Sequence, residues 1–386
     1  MALKKNHSAE KQLKLPILGI HKKKLVKTGR KSRNSGTHDA ALPQSIADSV
    51  VLPPLEVFCR LATPKPTSAF ATYWEFAQER QSVFLAKLMG QELRDANSII
   101  RQHRFTNVYR ASDRVSQYLI RHVLYDSSWS PADLVFRLMI FKFFNKVETW
   151  EALEQDVGSI SFQTYSFEKF DRRLSYIMAS GQRIYSAAYI MPSGRTAFGY
   201  ERKHRNHLKI IEAMIETRLA EKIIECKSFE ALFRLLRQHP CVGPFLGYQL
   251  AIDLNYSNLL NFSEDEFVEP GPGALDGISK CFSDLGDFTP ADIIRYMTDI
   301  QETAFDRYAP RFQDLWGRRL HLIDCQNIFC EVSKYTRVSH PEIRGLSNRT
   351  RIKQVYRPSA QPAEKPWFPP KWGLNQLIAS DDRIRI

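Results

Sequence analysis

From Ser68 to about residue 345 the apolar positions recur every three or four residues, the spacing that gathers side chains on one face of an α-helix. Phe70, Tyr73, Trp74, Ala77, Phe84, Leu85 and Leu88 make such a stripe over Ser68 to Met89. Two later helices carry matching start signals, Ser130-Pro131-Ala132-Asp133 and Thr289-Pro290-Ala291-Asp292. Each sets a hydroxyl at the N-cap, proline at the first helical position and a carboxylate in the first turn. The pattern predicts helices over 131–145 and 290–308, and others over about 109–124, 165–180, 204–225, 229–238, 244–256 and 320–336. Alternating apolar runs bounded by turn residues are almost missing, so at most a short strand pair is expected, near 180–200. The expected fold class is all-α.

Two helices break the one-sided pattern. The stretch Gln238 to Ser257 runs from a Pro-x-Val-Gly-Pro turn into a helix apolar on nearly every side, yet with Gln249 and Asp253 four residues apart on one face. An all-apolar helix is normally buried, and amides behind Gly243 that no intrahelical carbonyl can accept would suit a phosphate or carboxylate. Following the helix of Phe229 to Arg237, this stretch resembles the helix-hairpin-helix with which DNA glycosylases grip a backbone phosphate, although Cys241 stands at a usual glycine. A plain turn between two core helices is the alternative. In the second helix Asp324, Asn327, Glu331 and Tyr335 share a narrow stripe, with Lys334 at its edge and Arg337 a turn further on, among apolar Leu322, Phe329 and Val332. Such a stripe faces water or lines a pocket, where carboxylates supply a general base and lysine meets an oxyanion or a leaving phosphate.

Charge changes the picture only once it is located. The net charge is +13, but residues 1–40 contribute +9 and residues 344–386 contribute +6, leaving −2 for the 303 between. The body is not globally basic, so a polyanion contact within it needs a local patch, and the tails add a salt-sensitive attraction. The chain divides into a disordered basic arm (1–45), a proline-rich linker (46–67), a helical domain (68–345) and a basic, proline-rich, extended tail (346–386) whose Trp367 and Trp372 can dock on the body. Lys22-Lys23-Lys24 and Gly29-Arg30-Lys31-Ser32-Arg33 read as a nuclear address or a phosphate-binding tail, or as a solubilising leader. Six scattered cysteines without a CxxC, and no run of eighteen apolar residues, point to an intracellular chain with reduced thiols, nuclear if eukaryotic, with no membrane partner.

Other candidate chemistry lies in two segments. Gln102 to Arg110, with Asp113-Arg114 after it, brings Arg104, Phe105, Asn107, Tyr109 and Arg110 to the entrance of a helix, where crowded arginines oppose the helix dipole and call for an anion. They suit stacking on a base while holding its phosphate; the alternative packs the aromatics inward. The segment Phe267 to Ile278 sets Gly271 and Gly273 around Pro272 at a helix start, bringing backbone close to a ligand. No GxxxxGK[ST] loop is present, His204, His207, His321, Cys325 and Cys330 complete no four-ligand set, and no cofactor pattern is evident.

FTNVYRASDRVSQYLI, HPCVGPFLGYQLAIDLNYS, EPGPGALDGISKCF and CEVSKYTR, in that order, resemble the helical family named for 5-hydroxymethyluracil DNA kinases, related to the α-glutamyl/putrescinyl-thymine pyrophosphorylases of DNA hypermodification. The resemblance covers roughly 68–345 and implies an all-helical relative of the helix-hairpin-helix glycosylases acting on a modified thymine in DNA. In that pathway a hydroxymethyl group on the base is activated by phosphorylation or pyrophosphorylation and then displaced by an amine. Carried onto this sequence, Arg104, Asn107 and Arg110 would hold DNA or the activated phosphate, Gly243 the backbone and Gln249 the base edge, with Asp253, Glu331 and Lys334 nearest the chemistry. A flipped base would enter between these helices. Phosphoryl transfer itself would need a separate P-loop kinase, and a thymine hydroxylase is a second expected partner. Three readings follow: a DNA-modifying transferase, a non-catalytic module that presents modified DNA to a partner, and a glycosylase-like repair enzyme.

Overall fold

A computed structural model describes residues 62–91, 97–187, 190–357 and 364–385. The basic arm and all but the last residues of the linker lie outside them. The described residues are all-α apart from one small sheet, in which Lys65–Pro66 (β1) pairs antiparallel with Phe282–Asp284 (β2). No strand pair forms near 180–200 in the described residues; the one observed is two and three residues long, too short to alternate visibly.

The helices begin with Ala69–Leu88 (α1), Ser98–Gln102 (α2) and Arg114–Tyr118 (α3), the last running into a π-turn at Leu119–Leu124. Then come Pro131–Phe144 (α4), Val147–Val157 (α5), Phe167–Ala179 (α6), Arg195–Phe198 (α7), Lys203–Glu216 (α8) and Leu219–Glu225 (α9). Phe229–Leu236 (α10), Pro244–Tyr256 (α11), Pro272–Cys281 (α12), Pro290–Asp299 (α13), Gln301–Tyr308 (α14) and Leu322–Ser339 (α15) follow, and Leu374–Ala379 (α16) lies in the C-terminal segment. The paired start signals act as expected, since Ser130 Oγ accepts the Asp133 N–H at 3.1 Å and Thr289 closes a capping box with Asp292.

Three expected helices are interrupted. The span 109–124 becomes a 3-10 turn at Arg110–Ser112, then α3 and the π-turn. Arg218, at a φ of +58°, divides α8 from α9, and Ile300 divides α13 from α14. Neither glycine nor proline marks these breaks.

Two helices organise the body. α4 is apolar almost all round and packs against α8, α9 and α11; α15 packs against α1, α12 and α13, and α11 carries α10 on its flank. α12 crosses α15 so closely that a Cβ on Gly277 would stand 2.1 Å from the Phe329 carbonyl oxygen, so only glycine fits there. From Leu246 to Tyr256 every residue of α11 is buried, the burial its all-apolar pattern demands.

The expectation of an extended tail over 346–386 is corrected for residues 364–385, which fold onto the body. Trp372 lies edge-on to Tyr256 at 5.5 Å and under the Arg318 guanidinium at 3.6 Å, while Trp367 meets Tyr125 at 5.3 Å. Lys371 Nζ donates to the carbonyls of Asn255, Ser257 (3.0 Å) and Leu260 (2.6 Å), closing the end of α11. Burial pushes that ammonium down to about 8. Large aromatic area and a helix end with open carbonyls both favour docking.

Candidate functional site

Three residues of the polar stripe of α15 are matched to the loop that precedes α3, and the fourth to the N-cap of α2. Asp324 Oδ1 accepts the Arg110 N–H at 2.9 Å, Asn327 Nδ2 donates to the Asn107 carbonyl at 2.6 Å, and Glu331 Oε2 accepts the Thr106 N–H at 3.0 Å. Tyr335 OH accepts from Asn97 at 2.7 Å. A stripe expected to face water or a pocket thus serves as the seat of residues 106–110, because loop amides and carbonyls buried there need partners.

Seating the loop turns its aromatics inward. Phe105 lies 5.3 Å from the Phe76 ring and 6.0 Å from Tyr335, and Tyr109 OH donates to the Arg318 carbonyl at 2.6 Å. Both side chains are buried, so the expected stacking of a base on them is corrected to core packing. Asn107 is also buried; its amide donates to the Ser112 carbonyl at 2.7 Å, and its backbone N–H donates to Asp113 at 2.7 Å. Burial pushes the Asp113 carboxyl up to about 6, against the pull of that N–H and of Arg80.

Arg110 turns the other way, into α11. Its Nε donates to Gln249 Oε1 at 3.0 Å, and its NH1 meets Asp253 Oδ1 at 2.7 Å and Tyr256 OH at 3.3 Å. The second Asp253 oxygen faces Lys142 Nζ of α4 at 3.0 Å, and Lys142 donates to Asn145 Oδ1 at 2.9 Å. Asp253 is fully buried. Burial alone would raise its carboxyl, but the Arg110 and Lys142 charges outweigh that and hold it below the usual range. An ionised carboxylate between two cations is a weak base; what it does here is fix Arg110 and tie α4 to α11. Asp324, also buried, is pushed up to about 6 by burial, with Arg318 and His321 opposing.

Gly243, Gly271 and Gly273 start α11 and α12. Gly243 is exposed at an N-cap with no side-chain cap, and Phe245 lies across Gly271, where a Cβ would come 2.8 Å from its ring. A Cβ on Gly273 would stand 3.1 Å from Cys330 Sγ. Gly271 and Gly273 thus serve close packing, and Gly243 is an exposed N-cap without a side-chain cap. Cys241, at a φ of +68°, adopts the left-handed backbone that the usual glycine of the hairpin would take without strain.

On the rim, Arg104 is exposed and Lys334 is partly so, its Nζ 2.6 Å from Glu331 Oε2 and 3.4 Å from the Arg104 carbonyl oxygen. Arg337 reaches past the helix end to the Arg351 carbonyl at 3.2 Å. The structure therefore separates the expected residues: Gln249, Asp253 and Arg110 lie in the core, Asp324 and Glu331 under the loop, Arg104 at the surface, and Lys334 and Arg337 half-buried at its edge. Lys142 and Tyr256 complete the cluster and were not anticipated, while Asp113, noted with Arg114 in the sequence, holds the Asn107 N–H. The signal for Lys142 was present, since Arg137 and Lys142 interrupt an otherwise apolar helix and a buried cation needs a partner. Of the ligand-like histidines, His204 pairs with Asp171 at 2.7 Å, His207 lies between Tyr185 OH (2.9 Å) and the Pro192 carbonyl (2.8 Å), and His321 pairs with Asp265 at 3.0 Å. No described helix is long and apolar enough to cross a membrane.

Residues 67–345 match the profile of a family described as 5-hmdU DNA kinase, helical domain. The chain belongs to this family. A curated relative, the 5-hmdU DNA kinase of Bacillus phage SP10, is 26% identical over 279 residues, an alignment taking in 67% of this chain and 43% of that protein. The chain thus matches less than half the length of that relative. No solved structure matches. All four motifs lie inside the matched 5-hmdU DNA kinase helical domain, including both partners of the Arg110–Asp253 pair; the docked segment 364–385 lies outside it.

Proposed function

We propose that the chain works in the modification of 5-hydroxymethyluracil in DNA, acting on that base or its phosphorylated form as a transferase that replaces the activated hydroxyl with an amine. The observation that carries the reading is the family match over 67–345. In the proposed step an amine nitrogen attacks the exocyclic methylene carbon. The carbon–oxygen bond to the phosphate breaks, the phosphate leaves with the electron pair, and the amine gives up a proton. Lys334 and Arg104, which reach the surface at one edge of the loop, are the candidate cations that meet the leaving phosphate, and Glu331, buried beneath them and paired with Lys334, is the candidate acceptor for that proton. Gly243, at the start of α11, is the candidate contact for a backbone phosphate, as in a helix-hairpin-helix.

A second reading has its own support. With Asp253 buried and paired on both oxygens, the most conspicuous carboxylate of the sequence is structural, which favours a DNA-reading module that presents the base to a separate P-loop kinase or other partner. Incubating the purified chain and an amine mixture with oligonucleotides carrying 5-hydroxymethyluracil, its phosphate or its pyrophosphate separates the two by product mass. Replacement of the phosphate by an amine is the expected result; tight binding without a mass change selects the module, and an abasic site selects a glycosylase.

A further inference from the structure

Across the end of the family match at residue 345, the chain runs from Arg344 to Arg357 with Arg344, Arg349, Arg351, Lys353 and Arg357 and no acidic residue. All five cations are exposed, and none is in an ion pair among the described residues. Residues 348–357 form neither helix nor turn. In an extended chain, residues two apart share a side at a rise of about 3.3 Å per residue. Arg349, Arg351 and Lys353 would then repeat at a spacing comparable to that of successive phosphates on an extended strand.

The segment is fastened where the candidate site begins. Val355 bridges antiparallel to His103: the Arg104 N–H donates to the Gln354 carbonyl at 2.9 Å and the Tyr356 N–H to the Gln102 carbonyl at 3.0 Å. The line of cations therefore continues into Arg104 and Lys334 at the loop's edge. Tyr356 is 48% exposed and Val355 62%, an aromatic and an apolar side chain held in water among arginines.

The charges here are out of balance. Asp276, the buried carboxylate at this helix end, is already engaged, accepting from Ser333 Oγ and, at 2.6 Å, from the Ser347 N–H. Lys280 lies 3.9 Å from it, and Arg337, Arg344 and Arg349 crowd behind. Arg337 Nε is buried without a hydrogen-bond partner. Burial, and then the charge of Arg349, weaken that guanidinium's hold on its proton, with Asp276 opposing. The carbonyl end of α15 favours a cation or two, at roughly 0.3–1 kcal/mol each, and leaves the rest of the row without a reason.

We propose that residues 337–357 form a track for a single DNA strand, with Arg349, Arg351 and Lys353 on successive phosphates and Tyr356 stacked on a base, leading the strand to Arg104 and Lys334. The inference deepens the reading of this chain as a DNA-modifying protein and rests on it. It assigns most of the strand's path, residues 346–357, to a segment outside the matched domain.

The test uses the full chain, with single-stranded and duplex oligonucleotides containing 5-hydroxymethyluracil and binding measured across a salt series. Replacing Arg349, Arg351 and Lys353 together by alanine should lower single-strand affinity at least tenfold and reduce the slope of log K against log salt by about 2, since each single-strand phosphate contact contributes about 0.7. Tyr356→Ala should cost about tenfold with the slope unchanged, as lost stacking does. Lys222→Ala on α9 with Lys227→Ala in the link that follows it serves as the control and should leave both quantities alone. If the wild-type chain binds and the triple variant keeps its affinity and slope, the track is overturned while the DNA reading stands. If the wild-type chain binds no oligonucleotide at low salt, both fall. Tighter binding of an RNA of the same sequence, lost in the triple variant, would overturn the assignment to DNA.

Discussion

Arg110 and Lys142 share one carboxylate in the core; Arg349, Arg351 and Lys353 share none at the surface. In the core each charge has a counter-charge within 3.0 Å, and its removal would strand the others in a medium that solvates them badly. At the surface water solvates the cations, so their crowding costs little until a polyanion arrives to use it. The same residue types therefore hold the fold in one place and wait for a ligand in the other. What separates the roles is burial and partner, which net charge does not report.

The largest effect that would break this contrast is at Asp253. Asp253→Asn leaves Arg110 and Lys142 buried without their anion and should destabilise the chain by roughly 3–5 kcal/mol in urea unfolding. A variant as stable as wild type would mean that the cluster is not structural. Asp324 gives a pH-dependent version. Burial holds its carboxyl at about 6 against the usual 3.8, so the folded state binds its proton more tightly than the unfolded chain. Its contribution is complete below pH 4 and is lost as the pH rises through 6. The stability of wild type relative to Asp324→Asn should accordingly fall by about 2 kcal/mol between pH 4 and 7, and a difference independent of pH would refute the burial argument.

Lys334 lies at the boundary and sharpens the comparison. Lys334→Ala should cost about 1 kcal/mol of stability or less, a partly exposed ion pair being worth little, yet slow amine transfer or weaken modified-DNA binding about tenfold. Equal, small losses in both assays would make it a purely structural residue. Least disturbed should be the triple alanine variant of Arg349, Arg351 and Lys353, whose unfolding free energy stays within about 0.5 kcal/mol of wild type. A large stability loss there would erase the distinction between the two regions.

The elements with their own punctuation were legible in the sequence. α11 begins at Pro244 and ends at Tyr256 as its Gly-Pro start and polar end dictate, and both Ser/Thr-Pro-x-Asp starts are helix starts. The breaks at Arg218 and Ile300 were not, because the apolar period passes through them without a glycine or proline, and tertiary packing decides them. The stripe on α15 was visible as a stripe, but its partner was not. Periodicity shows which residues share a face and is silent on whether water, substrate or a distant loop lies against it. Arg110 illustrates the limit, since its neighbours suggested an anion from solution and its actual anion is Asp253, 143 positions away.

Lys371 sets a schedule for synthesis. The carbonyls it closes at the end of α11 emerge from the ribosome 111 to 116 residues before it does. Until then the nascent chain must leave that helix end to water or to a chaperone. A truncation anywhere upstream of residue 371 would leave those carbonyls permanently without this cation, open to cellular quality control.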